Sequence, residues 1–375
     1  MKIGFVIDDG IDSTDGVQQY VKTLGNWLTK NGHDVIYITS TGQHKTLKVL
    51  NVAKNITVAF NRNVLRIPLA ASAKKLHEIL VTENFDVIHV QMPYSPLLSG
   101  RLIHVLPKNV ALVGTFHIAP FGPTQENMSK ILAYIVKPQL PRFNGIVSVS
   151  DAAQSYAKRA FGINSIVLPN AVNTVGYDRT KIKKPQSLIF VGRLVYRKGC
   201  LQLLGAINYL VKSLGYTIFT LNIVGDGPER GAIERYISEH NLTKYVQLSG
   251  KVTETKKIQL LQNARIAVYP SISGESFGIV LIEAMAAGCA VLGGSNDGYS
   301  FVLKQTPEAL FDPLDHQKLA FMLKRLLSND NVMQRLIRQQ QNILKNFSID
   351  SVGEDIIKQY ACAIEKNAHS GHNSS

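Results

Sequence analysis

Two carboxylates, Glu275 and Glu283, stand eight positions apart in the segment Gly274 to Gly288, which is otherwise apolar or small apart from Ser276. A helix apolar on nearly every side belongs in a core, and an ionised carboxylate there is costly unless something bonds it. Glu283 therefore needs a partner. A carboxylate can accept two hydroxyls of a vicinal diol, or it can pair with a buried arginine or with backbone. The spacing predicts a helix over 277–287, so Ser276, Phe277 and Gly278 would begin it with their amides toward a phosphate or sugar. Glu275 would stand at the mouth.

A second candidate is Gly192-Arg193-Leu194-Val195-Tyr196-Arg197-Lys198-Gly199, directly after an apolar strand and opening a helix. Arg193 and Lys198 beside free helix amides would suit a diphosphate, whose charge needs several donors at once; the alternative is an ordinary basic turn. Gly225-Asp226-Gly227-Pro228 follows another strand and makes a tight turn that would let a ligand approach the backbone at Gly225. Asp15-Gly16-Val17 joins the first strand to its helix and offers amides to a phosphate from another wall. His117 ends the strand 111–116, where a histidine is either structural or a catalytic candidate.

No Asp-x-Asp occurs, and no His, Cys and carboxylate cluster has metal spacing. A nucleoside-diphosphate sugar bound here would be neutralised by basic side chains and helix dipoles in place of a divalent cation. Gly225, Gly227 and Gly231 give G-x-G-x-x-x-G, one residue too long for a dinucleotide fingerprint, and no G-x-x-x-x-G-K-[ST] loop is present.

The elements that must position these residues alternate as strand and helix. Lys2 to Ile7 reads as a strand, Val17, Tyr20, Val21, Leu24, Trp27 and Leu28 share one helical face, and Asp34 to Thr39 reads as the next strand. Further near-continuous apolar runs at 87–90, 111–116 and 145–149 favour a parallel sheet covered on both faces. After a polar, Lys-rich stretch ending at Gln186 the pattern restarts, with strands near 188–191, 219–224, 246–248, 266–269 and 290–292. Helices are expected near 199–214, 229–240 and 254–262, besides the one over 277–287. The chain is thus α/β, two Rossmann-like doubly wound domains whose strand ends would face a central cleft. The boundaries fall at 1–172 and 173–347, with a last helix over 348–366 and a disordered tail over 367–375.

At 375 residues, two cores are expected. The opening apolar run is too short for a signal sequence, no stretch reaches the length of a membrane span, and three scattered cysteines suit a reducing cytosol. Net charge is +14, with an excess of +7 in each of 1–170 and 171–375. From Val35 to His77 there is no acid, while Lys45, Lys48, Lys54, Arg62, Arg66, Lys74 and Lys75 accumulate. That surface is either a solvated basic face or one that meets anionic lipid headgroups. Nucleic-acid binding would rest on charge alone, and none is expected.

Several segments, in order, resemble the retaining family 4 glycosyltransferases of GT-B fold, and most resemble the bacterial phosphatidylinositol mannosyltransferases. They are Gly16-Val17-Gln18, Thr115-Phe116-His117, Pro169-Asn170-Ala171-Val172, Gly192-Arg193 with Lys198-Gly199, and Glu275 to Glu283. The resemblance implies an acceptor-side first domain, a donor-binding second domain and a final helix that crosses back to the first. It implies that Arg193 and Lys198 hold the donor diphosphate, Glu283 the ribose and Glu275 the transferred sugar. Gly16 would close over the phosphates, His117 would contact the sugar, and Gln18 would face the acceptor. The implied activity is metal-independent, retaining transfer of a hexose, mannose or glucose, from a nucleotide-sugar to a lipid or glycan acceptor. A phosphatidylinositol-like lipid would be met by a cytoplasmic enzyme peripheral on the inner membrane face. A sugar-nucleotide 2-epimerase of the same architecture, or a non-catalytic nucleotide-sugar-binding protein, is the alternative.

Overall fold

The computed structural model describes all residues except 13–15, 61–62, 69–70, 119–122, 178–185 and 373–375, and omits the side chains of 56–60, 63–68, 123–128 and 370–372. The chain forms two compact units. One comprises Met1–Ala171 with Ile349–Ser375, the other Val172–Ser348.

In the first unit the strands are β1 (Lys2–Ile7), β2 (Asp34–Thr39), β3 (Lys48–Asn51), β4 (Asn55–Phe60) and β5 (Asn63–Pro68), followed by β6 (Val87–Val90), β7 (Ala111–Phe116), β8 (Gly145–Ser148) and β9 (Ile166–Val167). The helices are α1 (Gly16–Lys30), α2 (Ala73–Glu83), α3 (Leu98–Val105), α4 (Pro123–Val136) and α5 (Asp151–Phe161). Seven strands pair in the order β3-β2-β1-β6-β7-β8-β9, all parallel, while β4 and β5 form a separate antiparallel hairpin.

Alternation along β1 explains the layering. Ile3, Phe5 and Ile7 join a core that also holds Tyr20, Val21 and Leu24 of α1, whereas Val6 joins the opposite core with Leu76 and Leu80 of α2 and Leu102 of α3. The first core is completed from the far end of the sequence. Val352, Ile356, Tyr360 and Ala363 of the terminal helix lie in it, and Trp27 Nε1 donates to Asp350 Oδ1 at 2.7 Å.

The second unit contains β10 (Ser187–Val191), α6 (Cys200–Lys212), β11 (Thr220–Val224), α7 (Arg230–Glu239), β12 (Val246–Gly250), α8 (Glu254–Asn263) and β13 (Ile266–Tyr269). It continues with α9 (Ile279–Ala286), β14 (Ala290–Gly294), α10 (Asp297–Val302), β15 (Leu310–Phe311), α11 (His316–Ser328) and α12 (Asp330–Leu344). Its parallel sheet runs β12-β11-β10-β13-β14-β15. Buried Gln340 of α12 accepts from the Val291 amide at 2.9 Å and donates to its carbonyl at 2.8 Å, which pins that helix to β14.

The terminal helix, α13, spans Ile349–His372, so residues 367–372, expected as a disordered tail, are helical. Asn367 explains the extension. Its Nδ2 donates to the Lys108 carbonyl at 2.9 Å, and its Oδ1 accepts from Asn144 Nδ2 at 3.3 Å.

In each sheet the strand order reverses at one place, between β1 and β6 and between β10 and β13. Open parallel sheets leave a crevice beyond their carboxyl edge at such a point.

Candidate active site

In the second unit, the segments beyond β10 and β13 meet at that reversal. Gly199 sits at φ 69° ahead of α6, and a Cβ there would run into the Pro270 carbonyl. Gly225, at φ 137°, is packed as closely on the Gly192 carbonyl and gives its own amide to Gly250 O at 2.8 Å. The close approach that Gly225 serves within the protein is thus to the Gly192 backbone.

This packing places Glu275 against the turn before α6. Its Oε1 accepts from Lys198 Nζ at 2.7 Å, Arg197 Nη1 at 2.9 Å and Ser271 Oγ at 2.7 Å. Burial pushes the carboxyl up, but the Lys198 and Arg197 charges and the Ser271 hydroxyl outweigh it and hold Glu275 below the usual carboxylate value. Glu275 is thus ionised at neutral pH. Arg193, the cation expected beside Lys198, is exposed on the strand-following loop, and Arg197 is the second cation on Glu275. A carboxylate between two cations can give them up to a stronger anion and accept sugar hydroxyls instead.

The helix that carries Glu283 starts later than the sequence pattern predicts. Its first residue is Ile279, and Gly278 precedes it at φ 127°. Phe277 is 2% exposed, with its ring 5.5 Å from Phe347 and 6.0 Å from Phe301, so its side chain belongs to the core. Gly274-x-Ser276-x-Gly278 has the spacing of a nucleophile elbow. An elbow needs a sharp strand-to-helix turn, whereas residues 270–278 separate β13 from α9 here.

Glu283 is 9% exposed, and Lys257 Nζ of α8 donates to it at 2.8 Å while also holding Glu254 at 2.8 Å. Tyr177 Oη donates to Glu254 at 3.4 Å. Burial pushes the Glu283 carboxyl up, with Lys257 opposing. Within the protein, the partner of Glu283 is a lysine, in place of the arginine or backbone weighed from sequence. Nothing in the spacing marks Lys257, because a lysine in a polar helix looks like every other solvated one until the sheet order brings α8 beside α9.

In the first unit, His117 follows β7 and is buried, and its Nε2–H donates to Gln91 Oε1 at 2.9 Å beyond the end of β6. Burial pushes its imidazole down to about 3, so it is neutral at physiological pH. Tyr20 of α1 meets that ring edge-on at 5.3 Å. Gly16 is the exposed first residue of α1 and Gln18 lies buried in its first turn. Asp15 falls outside the described residues. Asp8, at the end of β1, is buried and accepts from the hydroxyls of Ser95 and Ser99 and from the Ser99 amide at 3.0 Å, which ties β1 to α3.

Of the basic surface, Lys74 and Lys75 are exposed on the first turn of α2. Lys74 faces Glu78 at 4.0 Å, and Lys75 Nζ donates to the Asn51 carbonyl at 2.9 Å. Arg62 and the side chain of Arg66 lie outside the described residues. Among those described, no group of three or more His, Cys, Asp or Glu could hold a metal ion, and no helix is long and apolar enough to cross a membrane.

Two parallel doubly wound units, with a carboxylate and two cations at a strand-order reversal, define a class of ligand-binding α/β enzyme. Residues 14–175 match the profile of Glycosyltransferase Family 4, and residues 178–343 that of glycosyl transferases group 1. The chain belongs to the family 4 glycosyltransferases, with the GT-B fold. It is 27% identical over 370 residues to the phosphatidyl-myo-inositol mannosyltransferase of Mycolicibacterium smegmatis, covering 96% of this chain and 93% of that one. To its counterpart in Mycobacterium tuberculosis it is 28% identical over 384 residues, covering 96% of each. Among solved structures, Anabaena HepE in complex with UDP superposes with a TM-score of 0.79 at 17% identity, covering 96% of this chain and 99% of that one. At that identity the likeness is one of fold.

Proposed function

We propose that this glycosyltransferase moves mannose, or another hexose such as glucose, from a nucleoside-diphosphate sugar to a phosphatidylinositol-like lipid at the inner membrane face, with retention and without a metal. The observation that carries the reading is the junction of Lys198, Arg197 and Glu275 on one carboxylate oxygen. Two cations gathered at a ligand-binding edge offer a diphosphate the neutralisation that a divalent cation supplies elsewhere. In the transfer, the bond from the anomeric carbon to the diphosphate oxygen breaks and its electron pair leaves with the diphosphate. The acceptor hydroxyl oxygen bonds to the anomeric carbon on the face being vacated, and its proton passes to a phosphate oxygen. Negative charge on the diphosphate grows along this path, so Lys198 with Arg193 or Arg197 binds the transition state more tightly than the substrate.

In the same reading, Glu275 holds the hexose, Glu283 the ribose, and neutral His117 the sugar from the first unit. Gly16 closes over the phosphates, and Gln18 meets the acceptor. The identity of the acceptor rests on the full-length similarity to phosphatidyl-myo-inositol mannosyltransferases. The test is incubation of the protein with labelled UDP- and GDP-sugars and phosphatidylinositol vesicles, with and without EDTA. Label entering the lipid fraction, unaffected by EDTA and lost in Glu275→Ala and Lys198→Ala, is expected. Donor turnover without acceptor, or a strict metal requirement, would sink the corresponding part.

A further inference from the structure

Three large apolar side chains stand in water on α4. Ile131 is 67% exposed, Tyr134 80% and Ile135 50%. Their spacing of three and four residues stacks them on one face of the helix. The other side of α4 is seated, with Val136 fully buried and Ser129 accepting from the buried Tyr156 hydroxyl at 2.5 Å. Exposed apolar residues scattered singly are ordinary, but a contiguous stripe on one helix marks a surface that meets something.

Charge says what that is. Lys130 precedes the stripe on α4 and Lys137 immediately follows the helix's last residue, and both are exposed, so a cation stands at each end of the apolar stripe. A tyrosine among isoleucines, with lysines alongside, is the composition of a helix lying in a bilayer interface. The aliphatic groups enter the acyl boundary, the phenol stays at headgroup depth and the ammonium groups reach lipid phosphates. A net charge of +14 favours an anionic surface as the partner. By contrast, α2 exposes the charged Lys74, Lys75 and Glu78 with a single large apolar side chain, Val81 at 58%, and could touch headgroups with little to insert.

We propose that α4 is the insertion element by which this enzyme holds an anionic bilayer, through Ile131, Tyr134 and Ile135 flanked by Lys130 and Lys137. The inference deepens the lipid-acceptor reading and rests on it, since an enzyme that glycosylates a bilayer lipid must stay at the interface.

The experiment uses the full chain and vesicles of phosphatidylcholine made anionic with phosphatidylglycerol and containing no phosphatidylinositol. Co-sedimentation of Ile131→Ser/Tyr134→Ser/Ile135→Ser should be at least about tenfold weaker than wild type, and Lys130→Gln/Lys137→Gln should bind more weakly with a smaller salt dependence. The triple variant should keep turnover of a dispersed short-chain acceptor and lose it on vesicle-embedded acceptor. Equal vesicle binding by the triple variant and wild type overturns the proposal. So does a wild-type dimer that becomes monomeric in the variant with vesicle binding unchanged, because the stripe is then a contact between copies. If the triple variant fails to fold, Tyr134→Trp decides. Its emission, read against Trp27, should be quenched by brominated acyl chains, and absence of quenching rejects insertion. Vesicle binding that depends on α4 but brings no lipid glycosylation sinks the acceptor assignment and leaves the anchor standing.

Discussion

At the scale of single residues, the two glutamates are satisfied in different ways, and the difference sets what each can do. Glu275 collects three donors on one oxygen and is held ionised, while Glu283 depends on Lys257, which it shares with Glu254. Removing one partner of a buried pair leaves the other charge uncompensated, at a cost of about 3 kcal/mol or more. Lys257→Met should therefore lower the unfolding free energy by about that amount in urea titration, and adding Glu283→Gln should restore more than half of it. Additive losses in the two single variants would show that the pair is not coupled. The need for a partner at Glu283 was legible in the sequence, since a carboxylate in an apolar helix states its own problem. The identity of the partner was not, because α8 and α9 become neighbours only through the strand order, and local spacing carries no information about that. For the same reason Arg193 drew attention as part of a glycine-flanked motif while Arg197 sits on Glu275.

At the scale of elements, β6 and β7 carry a buried polar seam. His89 of β6 shares a hydrogen bond at Nδ1 with the Tyr360 hydroxyl of α13, 2.7 Å away, and another at Nε2 with Thr115 Oγ1 of β7 at 2.6 Å. Burial pushes both His89 and His117 down to about 3, from an ordinary 6.5. As pH falls the unfolded chain takes up these protons first, so stability is full above 6.5 and is lost progressively toward the folded values. Each histidine should cost about 2 kcal/mol between pH 7.5 and 5. Urea titrations at the two pH values measure the sum, and His89→Gln should shed roughly half of the dependence; an unchanged slope would mean that His89 is not the group titrating. Tyr360→Phe should loosen α13 by about 1 kcal/mol, read as faster amide exchange in that helix. Strands such as β1, β7 and β13 were legible because both faces are covered and nearly every residue is apolar. The β4–β5 hairpin was not, since its residues read as part of an acid-free basic run. Residues past Lys366 looked like a polar tail because the bonds of Asn367 that extend the helix go to loops more than two hundred positions away.

At the scale of the whole molecule, the two units differ in how the chain closes them. The second is one continuous segment, Val172–Ser348, with its own sheet, its own core and the full set of Glu275 and Glu283 contacts. The first is interrupted, and one face of its sheet is covered by Val352, Ile356, Tyr360 and Ala363 from the far end of the sequence. Stability should divide accordingly. A fragment of residues 172–348 should unfold cooperatively on its own and, if the carboxylate–dication cluster is the donor site, should bind a nucleoside diphosphate with its melting midpoint rising as ligand is added. That rise should vanish in the same fragment carrying Lys198→Ala, whose midpoint without ligand reports separately whether it still folds. A fragment of residues 1–171 leaves several fully buried side chains in water and should behave as an aggregating or partly ordered chain until a peptide spanning 349–372 is supplied in trans. Calorimetry of the fragments decides this: a cooperative transition in 1–171 alone would show that α13 decorates a finished domain, and its appearance only with the peptide would show that the first unit is built from both ends of the sequence.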